Sequence, residues 1–265
     1  VLRGFRPASG FCRFAALRGG LRRHPGRAVF LCKQQKGAPA MRMFQLDDRL
    51  RLCAEMVREG SLLADIGTDH AYLPIWLVAA GKCPGAVAVD VREGPLERAR
   101  ENVARYHMEE QIRLSLSSGL SALGPEDADD IVIAGMGGEL IAEILGAAPW
   151  GRDSEKRLIL QPMTTAPELR CWLRENGFGI LQEKCAVSDG KAYTVLQVAY
   201  SPDMAREAAK DPLYPYAGAL TGNTPEEQAY LSRTARQLES RKKGLLHQGN
   251  SQEAAKLERI LALLY

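Results

Sequence analysis

Across Ser61-Leu62-Leu63-Ala64-Asp65-Ile66-Gly67-Thr68-Asp69-His70-Ala71-Tyr72-Leu73-Pro74, a short apolar run meets a glycine and then a helix start. Ser61–Asp65 reads as a buried strand, too short for a helix and bounded by Gly60 and Gly67. Pro74 suits the first turn of a helix running to about Ala80, where its missing N–H costs nothing. The same unit recurs downstream. Ala86–Val89 is a second strand, followed by a helix opening near Pro95. Ile112–Leu116 alternates, Ile131–Ala134 leads into Gly135–Gly138 and another helix, and Leu158–Leu160 precedes a helix over Pro167–Glu175. Upstream, Leu46, Leu50, Cys53, Ala54 and Val57 recur at helical spacing before Gly60. Strands alternating with helices predict a parallel sheet covered on both faces.

The rhythm then changes. Gly179–Val187 and Ala192–Ala199 are strand-like and joined by Ser188-Asp189-Gly190, a hairpin signal. A parallel α/β sheet finished by an antiparallel hairpin is the order of a Rossmann-like class I methyltransferase, whereas nucleotide dehydrogenases continue with further βα units. Residues 43–200 are therefore expected to form one such domain. Residues 201–223, rich in Pro, Gly and Tyr, read as a connector. Thr224-Pro225-Glu226-Glu227 combines a cap, a first-turn Pro and a capping-box Glu. Leu231, Ala235, Leu238 and Leu245, then Ala254, Leu257, Leu261 and Leu264 after Gly249-Asn250-Ser251, predict an antiparallel helical hairpin, a short coiled coil, over 224–265.

The net charge of +3 conceals an asymmetry. Residues 1–40 hold nine Arg and Lys and no acid, leaving 26 basic and 32 acidic side chains beyond them, a net of −6. A nucleic-acid partner would have to meet a local basic patch. The basic opening resembles a transit peptide in composition, but Gly4, Gly10, Gly19, Gly20 and Gly26 interrupt any helix there. It reads instead as an upstream extension, expected to be disordered over 1–42, with the protein proper beginning at Met41 or Met43. No apolar run approaches the roughly 20 residues of a membrane span, so the chain is expected to be soluble and cytoplasmic. The six cysteines are scattered without metal-ligand spacing, which predicts reduced packing residues and no metal site.

The loop Asp65–Pro74 carries the chemistry. Gly67 permits a tight turn and close approach of a ligand to the backbone. Asp65 and Asp69 would repel a dinucleotide pyrophosphate, which prefers glycines and bare N–H groups. They suit S-adenosylmethionine, whose ammonium and sulfonium are both cationic. Asp90 ends the second strand, about 20 residues on, where a carboxylate grips ribose hydroxyls. Gly135-Met136-Gly137-Gly138 ends the fourth strand, open to close approach of cofactor and base, with Met136 able to pack on an aromatic ring. Gln161 closes the fifth strand, as a rim amide or as a cap for the next helix. His70 is read as a rim residue or a helix-start residue, and Tyr72 as a rim or a core aromatic.

Asp65–Pro74 (DIGTDHAYLP), Ile133–Gly138 (IAGMGG), Leu158–Pro162 (LILQP) and Asp189–Leu196 (DGKAYTVL) together resemble the TrmK-type tRNA (adenine-N1)-methyltransferases, from about residue 43 to the C-terminus. The resemblance implies methyl transfer from S-adenosylmethionine to N1 of adenine 22 in tRNA. It implies cofactor contacts from Asp65, Gly67, Asp90, Ser118, Gly135, Met136 and Gly137. The residues themselves predict a catalytic rim of Asp69, His70, Tyr72 and Gln161 and substrate contacts from Met136 and from the cationic Arg241, Lys242 and Lys243, on a hairpin that the resemblance implies helps to grip tRNA. The chain departs from the family pattern at Asp90, where a Glu occurs, at Ser118, where Asp is frequent, and at Met163, which replaces an Asn. Alternatives are a methyltransferase for another RNA, a protein or a small molecule, and a catalytically silent RNA-binding protein on the same fold.

Overall fold

The structure, a computed structural model, describes residues 43–264. The basic extension expected over 1–42 lies outside them. Among the described residues, seven strands form one sheet: β1 (Leu63–Ile66), β2 (Ala86–Asp90), β3 (Ile112–Leu116), β4 (Asp130–Gly137), β5 (Arg157–Thr164), β6 (Phe178–Ser188) and β7 (Lys191–Tyr200). Their order is β3-β2-β1-β4-β5-β7-β6, with β1 to β5 parallel and β7 inserted antiparallel between β5 and β6. The strand order therefore reverses between β1 and β4, and that is where an open α/β sheet leaves a crevice at its carboxyl edge.

Helices α1 (Asp48–Met56), α2 (Tyr72–Ala79) and α3 (Glu93–Arg105) cover one face, and α4 (Gly138–Gly146) and α5 (Ala166–Glu175) the other. The strands explain why both faces must be covered. Along β4, Ile131 and Ile133 enter the core under α4 and α5, while Val132 enters the core under α1 and α2. With side chains alternating between two buried layers, a central strand reads as an unbroken apolar run. Fully burying one such Ile contributes roughly 1.5–3 kcal/mol.

Two features differ from the sequence reading. β4 and β5 run on through Gly137 and Thr164, because Gly135, at φ +78°, bulges the strand and lets pairing resume at Met136. The 201–223 stretch carries two short helices, α6 (Pro202–Ala208) and α7 (Tyr214–Ala217), each with a proline in its first turn. Beyond them, α8 (Pro225–His247) and α9 (Ser251–Leu264) pair through Ala235, Leu238, Leu257 and Leu261. The Thr224 hydroxyl accepts from Glu227 N at 3.2 Å, and the Glu227 carboxylate collects the N–H of Gly222 at 2.8 Å and of Asn223 at 3.2 Å. The cap thus fixes both the helix start and the loop leading into it.

Candidate active site

A cavity of about 570 Å³ opens at the carboxyl ends of β1, β2 and β4. Asp65, Gly67, Asp69, His70, Tyr72, Asp90, Ser118, Gly135 and Met136 all line it, so residues up to 71 positions apart in sequence converge on one space. Gly137 and Gln161 do not line it, and Arg241, Lys242 and Lys243 lie on α8.

Asp65 ends the buried run of β1, and its carboxylate accepts from Thr68 Oγ1 at 2.6 Å. Burial pushes its pKa up to about 6; the Thr68 hydrogen bond partly opposes this and the Asp90 charge adds to it. The loop that follows is held by Gly67 N and Thr68 N, both donating to Val89 O at 2.8 and 2.9 Å. Gly67 itself sits at φ +75°, a conformation strained for any L side chain, and a Cβ there would also require the flexible Met136 methyl to move. Asp69 at φ +52° and Ala71 at φ +58° are also left-handed, which costs a non-glycine residue and concentrates strain beside the cavity. Asp90 accepts from Arg92 N at 2.9 Å and weakly from Asp69 N at 3.4 Å. Two carboxylates thus face one cavity, with the strained loop between them.

Aromatic side chains from the same loop and the start of α2 also line the cavity. The His70 ring stacks on Tyr72 with centroids 5.2 Å apart and planes 12° from parallel, and its Nε2 lies 3.4 Å from Asp69 Oδ2. Tyr72 is exposed rather than a core aromatic, and His70 lies just before α2. Tyr72 begins α2 yet remains 39% exposed, and His70 offers its carbonyl to buried Asn102 while its ring faces the cavity.

Gln161 is wholly buried and acts as a bracket. Its Oε1 accepts from Gly135 N and from Arg49 Nη1, both at 3.0 Å, and its Nε2 donates to Pro162 O. Arg49, which the sequence reading missed, lines the cavity. It bonds Asp47 at 2.8 Å and Met163 Sδ at 3.3 Å, and lies over the Tyr193 ring. Its local signal, Asp47-Asp48-Arg49-Leu50, is only that of a capped amphipathic helix. What brings it to the site is the packing of α1 against β4, β5, β6 and β7.

On the hairpin, Arg241 and Lys243 are exposed, whereas Lys242 is paired with Glu258 across the two helices. Arg233 is spent on Ala192 O. The described residues contain no cluster of three or more His, Cys, Asp or Glu placed to hold a metal, and the described cysteines are free thiols.

Comparisons with known proteins agree with this geometry. Residues 46–196 match the family model described as a methyltransferase domain. The chain is 40% identical over 182 residues to the tRNA (adenine(22)-N(1))-methyltransferase of Bacillus subtilis, covering 69% of this chain and 75% of that one. Among solved structures it is similar to the B. subtilis m1A22 tRNA methyltransferase TrmK, with a TM-score of 0.72, 30% identity and coverage of 83% and 97%. It is also similar to a Streptococcus pneumoniae chain solved in complex with S-adenosyl-L-methionine, with a TM-score of 0.69, 33% identity and coverage of 82% and 100%.

Proposed function

The chain belongs to the TrmK-type family of tRNA (adenine-N1)-methyltransferases, and we propose from that premise that it methylates N1 of adenine 22 in tRNA at the cavity between β1, β2 and β4. The observation that carries the reading is the pairing of two carboxylates, Asp65 and Asp90, with a glycine-lined approach at one switch point. This donor set fits S-adenosylmethionine. Asp65 offers a desolvated negative charge to a cationic group, Asp90 offers acceptor oxygens to ribose hydroxyls, and Gly67 and Gly135 leave the backbone bare for close approach. When bound, the cofactor supplies an electrophilic methyl on its sulfonium.

The remaining work falls to positioning and electrostatics. N1 of adenine carries a free lone pair at neutral pH, so no strong base is required. That atom lies on the Watson–Crick edge, and the target must be unpaired or flipped to reach the cavity. His70 and Tyr72 offer the stacking surface for it. Asp69, at the mouth, suits a base that becomes positively charged on methylation. Gln161, itself bonded by Arg49, holds Gly135 where β4 bulges. Exposed Arg241 and Lys243 on α8 meet tRNA phosphates, giving a chain whose residues 41–265 are net acidic the local basic patch it requires. Its workplace is the cytoplasm, and no helix among the described residues is long and apolar enough to cross a membrane.

The direct test is to incubate the protein with S-adenosylmethionine and unmodified tRNA and to map the product by reverse-transcription arrest and nucleoside mass spectrometry. The expected result is N1-methyladenosine at position 22. Cofactor binding without transfer to tRNA would support the silent RNA-binding alternative, and transfer elsewhere would redirect the substrate.

A further inference from the structure

We propose that a basic and aromatic ridge, running from the cavity mouth along α3, is the track for the single-stranded nucleotides that flank the target adenine. The inference rests on the function proposed above and adds a second RNA-contact surface, separate from the hairpin.

The ridge begins inside the site. His70 stacks on Tyr72, Tyr72 meets the Phe44 ring at 4.7 Å, and Phe44 meets Tyr106 edge-on at 5.5 Å. Phe44 and Tyr106 are half-buried against the core beneath, so the outer members, Tyr72 and His70, are held on a rigid base. Beside them runs α3, where Arg98, Asn102 and Arg105 follow at spacings of four and three and therefore share one face. Buried Asn102 docks that face onto the loop by donating to His70 O at 3.0 Å, and accepts from Arg105 Nη1 at 3.3 Å. Arg98 is exposed, with Nη1 3.4 Å from His70 Nε2. Among the described residues neither Arg98 nor Arg105 forms an ion pair, although Glu101 lies between them on the helix.

A partly exposed aromatic cluster continuous with the cavity, flanked by arginines that make no ion pair among the described residues, matches the chemistry of single-stranded nucleic acid. Unstacked bases lie on aromatic rings while cations follow the phosphates. A duplex would hide its base faces, and a small-molecule substrate would need no cations outside the cavity. Arg98 brings positive charge beside His70 and Arg105 continues it along α3, countering the repulsion that the lining carboxylates Asp47, Asp65, Asp69 and Asp90 exert on an approaching phosphate backbone.

The test is a double variant, Arg98→Gln with Arg105→Gln, and its charge-keeping counterpart, Arg98→Lys with Arg105→Lys. The neutral variant should bind S-adenosylmethionine with unchanged affinity, raise the KM for tRNA by about tenfold and leave kcat at saturating tRNA within about twofold. Its log–log salt dependence should flatten by about 0.7 per lost single-strand phosphate contact. The lysine variant should recover most of the KM. In parallel, 2-aminopurine placed next to the target adenine should be quenched on binding to the wild type, and less so with Tyr72→Leu. Unchanged KM and salt slope in the neutral variant, or equal loss in the lysine variant, overturns the ridge while leaving wild-type methylation in place. Absence of tRNA methylation by the wild type overturns the functional reading, and the ridge with it.

Discussion

Arg170, beneath the helical hairpin, and Asp65, at the end of β1, are both charged side chains withdrawn from water, and their surroundings differ in kind. Arg170 on α5 is fully buried and fully answered. Its Nη2 and Nε reach Glu183 Oε1 at 2.5 and 3.2 Å, its Nη1 reaches Pro215 O at 2.9 Å, and Tyr230 from α8 contributes both hydroxyl and ring. Glu183 in turn accepts from Thr194 at 2.5 Å and from Ala219 N at 2.9 Å. Gly218 leaves room for the connector to lie on the pair, since a Cβ there would overlap the carboxylate. Among the described residues, Asp65 has one hydroxyl donor, no cation paired with it, and a second carboxylate nearby. A buried charge with a complete set of partners joins elements together, here the sheet, the connector and the hairpin. A buried charge that lacks its countercharge raises the energy of the folded chain and makes a candidate place for a cationic ligand.

The largest effect should come from breaking the first of these. Glu183→Ala strands the Arg170 guanidinium in the core and should lower unfolding stability by about 3–5 kcal/mol. Chemical denaturation measures it, and a loss below about 1 kcal/mol would mean that the network is not closed as described. At the other region the sign reverses. Asp65→Asn removes an ionised group that burial disfavours, so without cofactor the variant should be more stable than wild type at neutral pH, by up to ~3 kcal/mol. Its affinity for S-adenosylmethionine should fall by about 1.5–3 kcal/mol. Thermal unfolding without cofactor, paired with titration calorimetry, reads both; a destabilised variant with intact affinity would make Asp65 a structural residue like Glu183.

The same contrast has a pH signature. The folded pKa of Asp65 is raised from 3.8 to about 6, so the folded chain holds this proton more tightly than the unfolded one. Its contribution to stability therefore declines as pH climbs from about 4 to about 6, and the full penalty persists above that. Cofactor affinity runs the opposite way, weakening as pH drops through about 6 and the carboxylate is neutralised. Titrations between pH 5 and pH 8 should show this slope in wild type and lose it in Asp65→Asn. Asp90→Ala, which removes ribose acceptors and one negative charge, should cost about 1.5–3 kcal/mol of cofactor affinity and keep that pH dependence, its midpoint moved down because the Asp90 charge no longer raises the Asp65 pKa.

The smallest effects belong to the hairpin surface. Arg241→Gln with Lys243→Gln should leave stability within about 0.5 kcal/mol, while flattening the salt dependence of tRNA binding by about 0.9 per lost duplex phosphate contact. Lys242→Gln should instead cost up to about 1 kcal/mol of stability through its Glu258 pair and change the salt slope little. Equal slopes for all three would remove the distinction between a gripping face and a packing face.

Much of this architecture is legible in the chain itself. Alternating apolar runs and capped helices are local patterns, so the strands, the Asp189-Gly190 turn, the Thr224 cap and the two hairpin helices could be read directly. So could the candidate cofactor loop, because a glycine between carboxylates at a strand end is unusual chemistry within ten residues. Other features depend on distance through space rather than along the sequence. Arg49 enters the site only because α1 crosses the ends of β4 and β5, and Gln161 faces inward only because Gly135 bulges β4 toward it. Lys242 is separated from its neighbours Arg241 and Lys243 by the register of α9, which sets Glu258 opposite one of the three. Local propensity and patterning determined what each segment becomes. The tertiary packing decided which side chains share a low-dielectric space, and therefore which charges are answered by the protein and which are presented to a ligand.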